Sequence, residues 1–163
     1  MIPFACAPQV HPDTITAIVR VESGGNPLAI HDNTTRRSVQ PLNVAGAVRS
    51  LEALLAKGHS VDVGLMQVNS RNFARTGLTP ETAFDACANV RAGGLILTQA
   101  WYQSTGHHYS GRVALWHAVQ VYNSGNLNGA PVYAAAVFRR KVPAGHKEVF
   151  SSPGAAFSTA WNP

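Results

Sequence analysis

Apolar residues recur at helical spacing along most of the chain, beginning with a short stripe near the start. Ile15, Ile18 and Val19 share one face of a segment opened by Pro12–Asp13 and closed by Gly24–Gly25. Proline near the start and glycine past the end is the order that delimits a helix. Residues 26–41 are polar and broken, with short strands expected near 28–31 and 37–40. Asn43 can cap a second helix, VAGAVRSLEALLAKG, which ends at Gly58. The stretch HSVDVGLMQVNSRNF is short, hinged at Gly64, and leads into a helical turn near 70–75. TGLTPETAFD is punctuation: Thr79–Pro80 opens a short helical turn and Asp85 can cap the next helix.

That helix, ACANVRAGGLILTQAWYQST, is apolar almost all round, the pattern of a central buried segment. Gly93–Gly94 lower its helix propensity, so close approach of another backbone is expected there. Ser110 caps a further helix running to about Tyr122, NSGN comes next, and residues 131–140 form a last short helix. From Val142 onward Pro, Gly and Ser dominate. The pattern therefore predicts one α-dominated domain over 1–141 and a tail or linker over 142–163, without internal repeats.

Composition narrows the class. A chain of 163 residues suits one domain with a full-sized core, and a charged fraction of 13% fits a compact protein and not a disordered one. No apolar run reaches membrane-spanning length, and MIPFACAPQV lacks the basic and long apolar regions of an export signal. The net charge of +5 suits an anionic partner. The basic residues are scattered, densest at Arg36–Arg37 and Arg139–Arg140–Lys141, without a recognition fold or interleaved aromatics. Nucleic acid is thus not the expected partner, whereas an acidic polymer such as the bacterial wall suits the same charge. Cys6 and Cys87 permit one internal pairing: two buried thiols in a reducing compartment, a disulfide if the chain is exported. The seven histidines show no paired-ligand pattern, so no metal or other cofactor is expected.

Three stretches can carry chemistry. Glu22 comes four residues after Ile18 and seven after Ile15, which places it on the apolar stripe where helix meets loop. Partial desolvation, the negative helix end and a shortage of nearby cations all act to raise its pKa, as a general acid requires. The plainer reading is a rim glutamate reaching solvent or a C-cap partner of Arg20. In VDVGLMQVNSR, Gly64 can let backbone approach a ligand, while Gln67 and Asn69 can read hydroxyl or acetamido groups, although such residues also make good turns. In QVYNSGN, Tyr122 can hydrogen-bond a carboxyl and Asn123 can hold a sugar or cap the loop.

Taken in order, these stretches resemble the lysozyme-like lytic transglycosylases, most closely the VirB1 kind associated with type IV secretion, from about Cys6 to Arg140. The family's Glu-Ser is Glu22–Ser23, its Gly-Leu-Met-Gln is Gly64–Leu65–Met66–Gln67, and its Asn before a small-residue helix is Asn89, ahead of RAGGLIL. Its Tyr-Asn-x-Gly element is Tyr122–Asn123–Ser124–Gly125. The resemblance implies an α+β, predominantly α-helical, lysozyme-like fold with a small irregular or β-containing lobe and a substrate groove. It implies peptidoglycan glycan strands as substrate, type IV secretion components as partners, and a periplasmic location. Glu22 would act as acid and then base, cutting between N-acetylmuramic acid and N-acetylglucosamine and leaving 1,6-anhydro ends. Tyr122 would orient Glu22, and Ser23, Gly64, Leu65, Met66, Gln67, Asn69 and Asn123 would line the substrate. One departure is Gln120, where many relatives carry a small residue; lining the groove, it would restrict substrate reach.

Asp62 opens a run, Asp-x-Gly-x-x-Gln-x-Asn-Ser-Arg, that is similar to one in hen-type animal lysozymes, whose aspartate is a second catalytic carboxylate. Asp62 is therefore either a second carboxylate or a turn residue. A hydrolytic muramidase using Glu22 and Asp62, or a non-catalytic wall-binding assembly factor, stand as the alternative functions.

Overall fold

The structure, a computed structural model, describes residues 1–139. The expected tail over 142–163, with Arg140 and Lys141, lies outside the described residues. Helix α1 spans Pro12–Glu22, α2 Val44–Leu55, α3 Phe73–Thr76, α4 Ala86–Gly106, α5 Gly111–Ser124 and α6 Pro131–Arg139. Four strands, β1 (Ile30–Asp32), β2 (Arg37–Val39), β3 (Val61–Val63) and β4 (Val68–Asn69), complete an α+β architecture. The chain divides into two compact units: Met1–Cys6 with Glu22–Gly93, and Ala7–Val21 with Gly94 onward.

The first unit holds the sheet, ordered β2-β1-β3-β4 with every pair antiparallel. Ile30, Val61, Val63 and Val68 are buried along it. Helix α2 packs against β1 and β3, with Ala47 and Leu51 its buried residues. It begins as expected, with the Asn43 side chain accepting from the Gly46 amide. Asp32 is also buried, at 3% exposure, because its carboxylate is fully engaged. The Thr35 hydroxyl and the amides of Thr34 and Thr35 donate to it, and the His59 ring lies 2.9 Å from it. The turn after β1 is thereby fastened to the segment entering β3. The stretch expected only as a glycine hinge is in fact the β3–β4 hairpin; strands of three and two residues are too short to show alternation in sequence. A Cys6–Cys87 disulfide, Cα–Cα 5.4 Å, ties the N-terminal arm to the start of α4.

Helix α4 is buried as its composition demands: between Ala88 and Ala100 only Arg91, Leu95 and Gln99, four residues apart, reach solvent. The Asp85 carboxylate accepts from the Ala88 amide, the expected cap. At Gly93 the close neighbour is a side chain and not the expected backbone: a Cβ there would lie 2.7 Å from Met66 Cβ. At Gly94 it is Ala7, whose Cβ a new methyl would meet at 2.7 Å.

In the second unit α5 packs on α6. The rings of Trp116 and Phe138 meet edge-on at 5.3 Å, with the Arg112 guanidinium over Phe138. Ser110 precedes α5 with extended backbone but makes no side-chain capping bond, so it caps by position only. The helix also runs past Tyr122 to Ser124 and closes on Gly125, whose φ of 74° suits glycine. Gln120 is 2% exposed, and its side-chain oxygen accepts from the Ala130 amide at 3.3 Å. It therefore holds the α5–α6 connection and presents no surface to a substrate.

The disulfide closes a loop of 81 residues, so replacing both cysteines by alanine should lower the unfolding free energy by roughly 4–5 kcal/mol. Urea denaturation of the two forms measures this. Asp32 supplies an acid signature: above all the Thr35 hydroxyl, then the His59 ring and the Thr34 and Thr35 amides, against the opposing effect of burial, lower its pKa from 3.8 to about 2. Because the folded value lies below the unfolded one, this stabilisation is present above the unfolded pKa and is lost as pH falls towards about 2. Asp32→Asn should be less stable near neutrality and should flatten that acid limb in pH-dependent melting.

Candidate functional site

Glu22 is the last residue of α1 and is half-buried. The chain turns immediately after it, through Gly24 and Gly25 at φ 63° and 90°. Between helix and turn, the Ser23 hydroxyl donates to the Leu65 carbonyl at 2.8 Å and accepts from the Gly25 amide at 3.2 Å. The first bond spans 42 residues of sequence and pins the end of α1 to the β3–β4 turn.

That turn is built by hydrogen bonds from within. Gly64 and Gln67 both have positive φ, 78° and 47°. The Gly64 amide donates to the Ala29 carbonyl, and the Gln67 amide closes onto the Gly64 carbonyl. The Gln67 side-chain nitrogen donates to the carbonyls of Ala29 and Gly64 at 3.1 and 2.9 Å, so half of its amide serves the turn, while its oxygen accepts from no donor among the described residues. Beneath lies Asn89, 1% exposed. Its oxygen accepts from the Met66 amide at 2.8 Å and its nitrogen donates to the carbonyls of Val63 and Ala83, both at 2.9 Å. A Cβ at Gly64 would meet Asn89 Cγ at 2.6 Å and the Ala83 carbonyl oxygen at 2.9 Å. The glycine expected to admit a ligand therefore admits an internal asparagine. Met66 is fully buried and Leu65 nearly so, so these two shape the turn from below.

On β3 and β4, Asp62 and Asn69 are direct cross-strand partners. One Asp62 oxygen accepts from the Asn69 amide at 2.6 Å, the other from Asn33 at 2.8 Å. Asn69 is committed further: its nitrogen also donates to the Ser60 hydroxyl, and its oxygen accepts from the Arg71 amide. Asn33 carries no signal in the sequence, since only the strand register brings it to a residue 29 positions away.

The first unit thus brings together Glu22–Ser23, the Gly64–Gln67 turn, Asn89 and Asp62. Tyr122 and Asn123 occupy the last turn of α5 in the other unit, half-buried and exposed respectively. Among the described residues no group of three His, Cys, Asp or Glu side chains could hold a metal ion, and no helix is long and apolar enough to cross a membrane.

The family model of the Transglycosylase SLT domain matches residues 2–135. The protein virB1 of Rhizobium radiobacter is 42% identical over 122 residues, covering 75% of this chain and 51% of that protein. Protein virB1 of Agrobacterium fabrum is 40% identical over 129 residues, 75% of this chain and 49% of its own length. The type IV secretion system protein virB1 of Brucella abortus is 37% identical over 138 residues, 79% and 57%. The chain spans about half the length of these relatives. No solved structure matches it significantly.

Asn89 makes the site's geometry testable. Asn89→Leu keeps the volume but strands two buried carbonyls and one buried amide. Stability should fall by about 3 kcal/mol or more, measured by denaturant unfolding. A variant within about 1 kcal/mol of the parent would show that the turn does not depend on it.

Proposed function

The chain belongs to the transglycosylase SLT family, and from that premise we propose a peptidoglycan lytic transglycosylase with Glu22 as its acid and base. Its substrate is the glycan strand, cut at the β-1,4 bond between N-acetylmuramic acid and N-acetylglucosamine. The protonated Glu22 carboxyl gives its proton to the bridging oxygen as the C1–O bond breaks and positive charge grows on the muramyl ring. The resulting carboxylate then takes the proton of the muramyl 6-hydroxyl, whose oxygen closes on C1. The 1,6-anhydro end forms without water, and Glu22 returns to its protonated state. An internal nucleophile leaves one carboxylate sufficient, where glycosidases ordinarily use a pair.

The observation that carries this reading is the Ser23–Leu65 bond. It holds the residue beside Glu22 against the Gly-Leu-Met-Gln turn, so two of the elements on which the resemblance rests meet in one place. The position of Glu22 supports it as well: the carbonyl end of a helix disfavours negative charge and so favours the protonated form an acid needs. Gln67 holds the sugar through its side-chain oxygen; Ser23, Gly64, Leu65, Met66 and Asn69 shape the floor; the family resemblance assigns Asn123 a sugar-holding role and Tyr122 an orienting one. Asp62 is read as part of that floor, since both of its oxygens already accept amide hydrogens. The names of the Brucella relatives support a setting in the periplasm, where cutting would open the wall for assembly of a type IV secretion system.

Glu22→Gln keeps shape and removes the proton, so wall lysis should fall about 10²–10⁴-fold with unchanged melting. Mass analysis of muropeptides from wall digested by the parent should give anhydro ends, lighter by one water than reducing ends. Lysis by Glu22→Gln at the parental rate, or reducing ends as the main product, would overturn the assignment.

A further inference from the structure

A polar row crosses the sheet and includes residues that the catalytic reading does not use. In register across its four strands stand Ser38, His31, Asp62 and Asn69, each directly opposite the next. Side chains opposite one another in an antiparallel ladder share a face. The residues flanking His31 and Asp62 along their strands, Ile30, Asp32, Val61 and Val63, are all buried, so the row occupies the sheet's other face.

Within the row the hydrogen bonds fall into two closed pairs. The His31 Nδ1 atom lies 3.1 Å from the Ser38 hydroxyl, and Asp62 is engaged by Asn69 and, from beside the row, by Asn33. No hydrogen bond among the described residues joins the pairs. Although His31 faces Asp62 across the ladder, both carboxylate oxygens are taken by amides, and no partner for the second ring nitrogen exists among the described residues. Each carboxylate oxygen that accepts one amide hydrogen retains a further lone pair. The two cross-strand neighbours therefore offer one imidazole nitrogen and one carboxylate with acceptor capacity to spare, on a half-exposed surface.

We propose that His31 is a substrate-contacting residue, and that the seam between His31 and Asp62 binds a hydroxyl or acetamido group of the glycan. The inference rests on the glycan substrate proposed above and deepens it. A sugar hydroxyl both donates and accepts, so it can give its hydrogen to Asp62 and receive one from His31, or bond the ring in its other tautomer. A purely anionic group would be repelled by Asp62, and an apolar one would leave both polar atoms unmatched. The row also lies close to the proposed chemistry in the chain, since Asp62 is two residues before the Gly64–Gln67 turn and Asn69 two after it. His31 thus extends the binding surface from β3 and β4 onto β1, towards the sheet's β2 edge.

The test uses the full chain carrying Glu22→Gln, so that bound sugar persists, isotopically labelled throughout and followed by NMR during titration with the N-acetylglucosamine tetramer. The His31 ring signals should shift saturably with the tetramer. His31→Ala in the otherwise unaltered enzyme should raise KM on soluble glycan strands about three- to ten-fold, the effect of one neutral hydrogen bond, with kcat nearly unchanged. His31→Asn, which keeps a donor and an acceptor, should recover part of that loss. Stationary His31 signals at tetramer concentrations that shift the Gln67 amide would overturn the proposal, as would an unchanged KM or no tetramer binding at all. An unaltered chain that cleaves no wall would instead defeat the transglycosylase reading, and the titration would still decide the seam.

Discussion

The buried amide of Asn89 fixes the β3–β4 turn, and most of the site's geometry depends on it. One side chain satisfies a backbone amide and two backbone carbonyls in a region where water does not compete. Buried and unpaired, each of those groups would oppose folding, so the turn has little freedom to adopt another path. Its neighbours are shaped around the same constraint. Residue 64 is glycine because any Cβ would strike Asn89, and Gly93 leaves the room that Met66 fills once the asparagine has drawn its amide in. Ser23 then attaches the end of α1 to the turn, and the position of Glu22 is inherited from that attachment.

Two aspartates on the sheet show how one residue type serves opposite ends. Asp32 and Asp62 lie on adjacent strands but on opposite faces. Asp32 points inward, is closed off by two threonines and a histidine, and acts as a fastener between the β1 turn and the approach to β3. Asp62 points to the half-exposed face, where two asparagine amides hold it in place while leaving acceptor capacity over. Hydrogen-bond donors hold both carboxylates in place, but only the second stays within reach of a ligand.

Much of the polar equipment expected to read a sugar is spent on architecture. Asn69 uses both ends of its amide on the scaffold, and Gln67 uses its nitrogen. Gln120, which looked like an obstruction, is an internal strut. Such residues serve turns and sugars equally well, and their sequence spacing is the same in both roles. Only partners contributed from far along the chain separate the two, as Leu65 does for Ser23 and Ala29 for Gln67.

The helices were legible in the sequence because their signals are local. The apolar stripe of α1, the Asn43 and Asp85 caps and the all-round apolar character of α4 act within a few residues of where they are written. Family motifs were legible for the same reason, as short runs whose order survives without a structure. The β3–β4 hairpin was not, since strands of three and two residues leave periodicity nothing to measure. The facing of His31 and Asp62, the Asn33 bond to Asp62 and the burial of Met66 depend on register between segments about thirty residues apart or on packing against α4. Those relations are set by which backbone groups find partners when the chain closes on itself, and only the tertiary structure decides them.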